Sequence, residues 1–260
     1  MRLICLLLVQ SLFLYGGVRI VPAKEFPEPE TVQINIVFPK SEEAVKGNPV
    51  YMQVRVRGYS LGSESIYSGK QPAAISPLGQ TLHVIVDGRP YFPYNGPSFD
   101  PFDEDGDFYQ SSFKFRLPYS LEKGMHTVRV FACRSYGESL KGDQVFDAKA
   151  FYVGKEEKNY PSHLNMPYLT YNEPSNQFDL RESNPILLDF LLNNCELSKD
   201  GYKVKVSIDE RPSLFLVEWR PYYIYGLAKG KHTIRLTLVD SKNREVFGPF
   251  NDVERIIYVR

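Results

Sequence analysis

The sequence predicts an all-β protein made of two tandem antiparallel sandwiches of the immunoglobulin-like or fibronectin III-like kind. Three observations carry that prediction. First, sheet-favouring aromatics are abundant, with 18 Tyr and 17 Phe, and 19 Pro punctuate them. Second, apolar residues alternate with period two through short runs, and beyond residue 23 no run of about a dozen residues keeps a helical period. Third, the chain repeats itself. Leu121–Arg129 (LEKGMHTVR) matches Leu227–Arg235 (LAKGKHTIR), Asp87-Gly88-Arg89-Pro90 matches Asp209-Glu210-Arg211-Pro212, and Asn48-Pro49-Val50 matches Asn184-Pro185-Ile186. Three blocks in one order mark two copies of one unit, at 31–154 and 167–260, with a polar linker over 155–166.

Residues 1–23 read as a secretory signal peptide. Arg2 precedes the apolar run Leu3–Val9, which is short against the roughly 20 residues of a membrane span. Val21-Pro22-Ala23 sets small residues at the last and third-last positions, which places cleavage near Ala23. An uncleaved N-terminal anchor is the other reading of this segment. Lys24–Thr31 is then an extended Pro/Glu tether.

In the first copy, strands are expected at 32–38, 50–57, 81–87, 111–117, 126–133 and 149–153. In the second they are expected at 169–171, 186–193, 203–209, 219–225, 232–239 and 254–259. The blocks lie further apart in the first copy, which puts its extra residues around Gly58–Gly79 and Pro93–Phe108. Insertions in a sandwich go into loops, and loops carry binding. Gly124 with His126, and Gly230 with His232, occupy equivalent turns and read as turn residues rather than ligands.

Lys+Arg and Asp+Glu are equal at 31 each, which argues against a protein held to nucleic acid by bulk charge. At 43% hydrophobic and 24% charged, the chain is neither a collagen, nor a disordered polymer, nor a multi-span membrane protein.

Leu82–Tyr91 (LHVIVDGRPY), Gly124-Met125-His126-Thr127 and Phe131–Lys141 (FACRSYGESLK) resemble a group of secreted bacterial Ig-like domains. Some of these carry the loose label phosphopeptide-binding protein. Trp219–Tyr223 and Gly248–Asn251 are similar to the companion domain in such proteins. The resemblance implies a sandwich fold and an envelope location, and no particular activity.

The loops after the second and penultimate strands of such a sandwich meet at one end. In the first copy these are Gly58–Gly79 and Arg134–Gly142. Arg134, Tyr136, Glu138 and Lys141, extended by His83 and Arg129 on the outward parity of adjoining strands, form a candidate site for an anionic or polar ligand. The competing reading is that Arg134 and Glu138 brace the loop as an ion pair. Gly58-Tyr59-Ser60-Leu61-Gly62 matches the G-x-S-x-G nucleophile elbow, which needs a strand, a sharp turn and a helix. A loop follows instead, so a hydrolase requires Ser60, His83 and an acid to converge in space. Asp103, Asp105 and Asp107 are a weak Ca²⁺ candidate. An EF-hand starting at Asp103 would need Gly and Glu where Phe108 and Lys114 stand. Cys133 and Cys195, one per copy, are a weak candidate for an inter-domain disulfide, against two free thiols. Trp219, the only Trp, is expected in the core.

The sequence therefore reads as a non-catalytic binding protein, secreted, periplasmic or at the cell surface. No cofactor and no membrane span are expected in the mature chain. The expected partner is an envelope protein, a peptide or a glycan, and not a nucleic acid. The alternatives are a structural spacer or assembly subunit, whose domains would pack tightly, and less favourably a hydrolase or a Ca²⁺-dependent carbohydrate-binding module.

Overall fold

The computed structural model describes residues 12–13, 17–66, 75–96, 110–155, 162–175 and 185–260, and among them every regular element is a strand. β1 (Leu12–Phe13) and β2 (Arg19–Pro22) come first. The first copy supplies β3 (Gln33–Phe38), β4 (Ala44–Val45), β5 (Tyr51–Arg57), β6 (Thr81–Val86), β7 (Phe92–Tyr94), β8 (Gln110–Arg116), β9 (Gly124–Cys133) and β10 (Phe146–Val153). The second supplies β11 (Tyr168–Glu173), β12 (Ile186–Asn193), β13 (Lys203–Ile208), β14 (Leu214–Leu216), β15 (Tyr222–Tyr225), β16 (Gly230–Val239) and β17 (Asp252–Val259).

The first sandwich sets sheet β4-β10-β9-β6-β7 against sheet β3-β5-β8. The period-two residues Val54, Val56, Val84, Val86, Val128 and Val130 meet between them in one core. The second sets β14-β13-β16-β17 against β1-β2-β15-β12-β11, around Val204, Val206, Ile234, Leu236, Leu188 and Phe190. Apart from the short parallel pair of β4 and β10, the named strands of the described residues pair antiparallel. Short β7, with Pro93 in it, pairs at a sheet edge, where a missing N–H costs no ladder bond.

The repeat blocks fold alike. His126 donates from Nδ1 to Asp87 Oδ2 (2.8 Å) and from Nε2 to the Glu122 carbonyl (2.8 Å), while Thr127 N donates to Asp87 Oδ1 (2.9 Å). His232 is held in the same way by Asp209 (2.6 Å) and the Ala228 carbonyl (2.7 Å), and Thr233 N donates to Asp209 (2.9 Å). Both aspartates sit in the left-handed region, with φ of 54° and 51°. The bond to Asp87 raises the His126 pKa, as expected of a ring with an acceptor on either side. Both histidines thus lie near the start of a strand, where each holds the neighbouring aspartate turn in place. Asp209→Ala removes two accepted bonds and is expected to cost about 1–3 kcal/mol, read as a shift in the urea midpoint.

Two arrangements depart from what the strand pattern alone implies. Val18 and Ile20, within the segment read as leader, are buried in the second core, and β2 pairs with β15. In addition, the sheet faces of β6 and β11 are covered on both sides, every residue in each being buried. The outward face of the first sandwich lies against the second, with Ile85, Phe131 and Cys133 of the first packed on Leu191 of the second.

Candidate functional site

A polar layer surrounds that apolar contact. Its centre is Asp189, fully buried within the apolar run ILLDFLLN of β12. Its Oδ2 accepts from Ser139 N (3.1 Å), Ser139 Oγ (2.6 Å) and Asn172 Nδ2 (2.7 Å), and its Oδ1 pairs with Lys141 Nζ at 2.6 Å. Asn172 also donates to the Gly137 carbonyl (2.7 Å) and accepts from His83 Nδ1 (2.7 Å). That bond fixes the His83 tautomer, with the proton on Nδ1. Burial lowers the His83 pKa to about 4, opposed by the bond to Asn172. The ring stacks on Tyr91 with centroids 3.6 Å apart, and the Tyr91 hydroxyl donates to Glu173. Burial pushes Glu173 up to about 7, against the bond from Tyr91 and the nearby charge of Arg255. Arg255 caps the open carbonyls beside the cis Glu173-Pro174 bond, donating to Tyr171 O (2.6 Å) and Asn172 O (2.5 Å).

Arg129 crosses the same boundary. It donates to Thr170 Oγ1 (3.0 Å), lies 4.1 Å over the Phe250 ring and also donates to the Asp87 carbonyl. Burial lowers its pKa to about 10. Arg134 pairs with Glu138 at 3.3 Å and donates to the Pro27 carbonyl at 3.0 Å, so the N-terminal tether is tied in as well. Burial raises Glu138 to about 7, helped by Asp189 and opposed by Lys141 and Arg134.

Each residue of the sequence-derived patch therefore has a definite place. His83, Arg129, Arg134, Tyr136 and Glu138 are buried, and Lys141 is mostly so. His83, Arg129 and Lys141 bond directly to second-sandwich residues. The expected ion pair between Arg134 and Glu138 is present. The two loops expected to meet do so: Ser65 N donates to Ser135 Oγ (3.1 Å) and Ser135 N to Ser65 Oγ (2.9 Å). Ser60 lies exposed on its loop, while His83 is buried against Asn172, so the two do not form a nucleophile and base. Asp103, Asp105 and Asp107 lie outside the described residues.

The weak candidate bridge is absent: Cys133 and Cys195 are both free, as the competing reading had it, with Cys133 buried between the sandwiches and Cys195 packed against the second core. One expectation needs correction. Trp219 is not a core residue. It is 38% exposed, with Nε1 donating to the Phe190 carbonyl (3.1 Å), because it precedes β15 rather than lying in it.

Sequence reasoning missed Asp189, Asn172, Glu173 and Arg255. The one signal available was a carboxylate in the middle of an apolar strand, which has to find a partner. It also missed an open cleft of about 160 Å³ beside the polar layer, lined by Glu25, Phe26, Glu28, Glu138, Lys141, Trp219, Arg220 and Pro221. Burial raises the Glu28 pKa, opposed by Arg134 and Lys141.

Among the described residues no group of His, Cys, Asp and Glu has metal-site geometry, and no helix is long and apolar enough to cross a membrane. No family model matches the chain, and no curated protein matches it either. Among solved structures, it is similar to the fibronectin(III)-like modules of Clostridium thermocellum CbhA at 11% identity and a TM-score of 0.28, over 88% of this chain and 94% of that one. It is similar to CBD12 from CALX1.2 at 8% identity and a TM-score of 0.22, over 88% of this chain and 100% of that one. A third likeness is to Bacteroides ovatus SGBP-B in complex with a mixed-linkage heptasaccharide, at 11% identity and a TM-score of 0.21, over 88% of this chain and 70% of that one. Likenesses at this level carry no argument about ligand or activity, and the fold class rests on the sheets themselves.

Proposed function

We propose that the protein is a non-catalytic structural subunit of the bacterial envelope, secreted or held at the cell surface, whose two sandwiches form one rigid spacer. The observation that carries this reading is the use of the outward polar residues of the first sandwich. His83, Arg129 and Lys141 are bonded across the boundary to Asn172, Thr170 and Asp189. Charged groups at a boundary between domains that moved independently would face water; here they are desolvated and bonded across it. The test is whether the sandwiches tumble as one body. Backbone amide relaxation is expected to give one rotational correlation time for both, and two separate times would overturn the reading. Replacing Arg134 and Lys141 together by Ala is expected to lower the melting temperature by about 5–10 °C, since Lys141 braces the boundary and Arg134 braces its own loop and the N-terminal tether.

A second reading has one observation in its favour: Trp219 and Phe26 flank a cleft that also holds Glu25, Glu28, Glu138, Lys141 and Arg220. An aromatic face with carboxylates and cations suits a small polar ligand such as a sugar unit. Trp219 is the only Trp, so its fluorescence reports this cleft alone. Titration with envelope glycans and peptides is expected to shift its emission if the cleft binds one of them, and a flat response across them removes this reading.

A further inference from the structure

The second sandwich takes in a strand from upstream of the first. β2 runs antiparallel to β15, pairing Pro22 with Tyr222, Val21 with Tyr223, Ile20 with Ile224 and Arg19 with Tyr225. The pairing continues past the strand, where Ala23 N donates to the Pro221 carbonyl (2.9 Å) and Arg220 donates to the Ala23 carbonyl (2.6 Å). Side chains follow the pleat. Val18 and Ile20 enter the core at 1% and 0% exposure, and the Arg19 guanidinium lies on the other face, 4.8 Å over the Tyr225 ring.

The acceptor side is shaped for this segment. Gly226 has φ of +80°, and a Cβ there would stand 2.4 Å from the Gly17 carbonyl oxygen, so the N-terminal backbone approaches where only glycine leaves room. Ala23 is itself buried beside Leu187 and Tyr223. Cleavage after Ala23 would strip every one of these contacts and leave β15 as an open edge over an unfilled core.

We propose that the secreted chain keeps Val18–Ala23, that leader removal ends upstream of Val18, and that the β15 edge is a strand-acceptor site for this segment. The processing step is hydrolysis by a leader peptidase of one peptide bond at or before Gly17–Val18. Water supplies the hydroxyl of the released carboxyl group and a hydrogen to the new α-amino group. Val21 is then a strand residue paired with Tyr223, and Ala23, just past the strand, is placed by its fit against Leu187 and Tyr223.

Two measurements on the full chain test this. N-terminal sequencing of the protein exported by a bacterial host is expected to find a first residue between the apolar run and Val18. Lys24 as the first residue, or Met1 retained, overturns the processing assignment. Independently, Ile20→Asp in the full chain is expected to lower the melting temperature by about 10 °C and to speed amide exchange at Tyr222–Tyr225 by at least about tenfold. Unchanged melting and exchange overturn the acceptor site. Should Ile20→Asp not fold, Ile20→Ala is expected to show the same local exchange at smaller amplitude, and its absence there is equally decisive.

Discussion

Replacing Asp189 by Ala is expected to cost about 3–5 kcal/mol of folding stability, the largest effect of any single polar substitution in the molecule. Four donors would lose the Asp189 carboxylate at once: Lys141 Nζ, Ser139 N, the Ser139 hydroxyl and Asn172 Nδ2. The ammonium is the costliest, because its side chain is only 13% exposed and reaches little water. Asp189→Asn keeps the shape but brings an amide that donates toward a site already ringed by donors, so it should recover little. Asp189→Leu combined with Lys141→Met removes both charges and is expected to cost far less than either change alone. Chemical denaturation of the four proteins measures the coupling. Additive losses would mean that the pair contributes nothing as a pair.

Stability is expected to fall as pH rises from about 5 to 8, and Glu173→Gln should remove much of that fall. Glu138 and Glu173 titrate near 7 in the folded protein, raised from 4.5 by burial. Between those values the folded state holds protons that the unfolded chain has released, so raising the pH favours unfolding. Each shift corresponds to about 3 kcal/mol once fully expressed, of which about 2–3 kcal/mol falls between pH 5 and 8. His83 acts in the opposite sense. Its folded pKa of about 4 lies below its ordinary 6.5, so stability is lost at that site as pH falls through this window. Two carboxyl groups outweigh one imidazole, and the raised His126 adds to their side. Unfolding free energies at pH 5 and pH 8 are expected to differ by about 2–3 kcal/mol less in Glu173→Gln than in the wild type. Equal differences in the two proteins would show that Glu173 does not carry a retained proton.

The strand pattern of both sandwiches was readable because alternation reports on one sheet at a time. Val84 and Val86, or Val204 and Val206, face their own core whatever lies behind the sheet. The same locality hid the site. Parity correctly turns His83 and Arg129 away from the first core, yet says nothing of a second sandwich waiting there. Residues on both sides of the boundary are ordinary polar side chains in sequence, and only their juxtaposition makes them a network. Asp189 shows the limit most clearly, since its partners Ser139 and Lys141 belong to the other repeat. The N-terminal strand was hidden for a different reason. A leader and a core strand are both short, apolar and small-residue-rich, and composition does not separate them.

The pairing of β2 with β15 also sets an order of events during synthesis. A ribosome delivers Arg19–Pro22 long before Tyr222–Tyr225, with the whole first sandwich between them. Apart from the two-residue β1, β2 has no partner until β15 emerges, so it must stay extended and largely unengaged while β3 to β10 fold around their own core. The second sandwich thus draws in residues made before the first, so its completion depends on synthesis having run through both. A chain interrupted anywhere before β15 leaves its opening strand exposed as an apolar edge, a form that quality control by proteolysis can recognise.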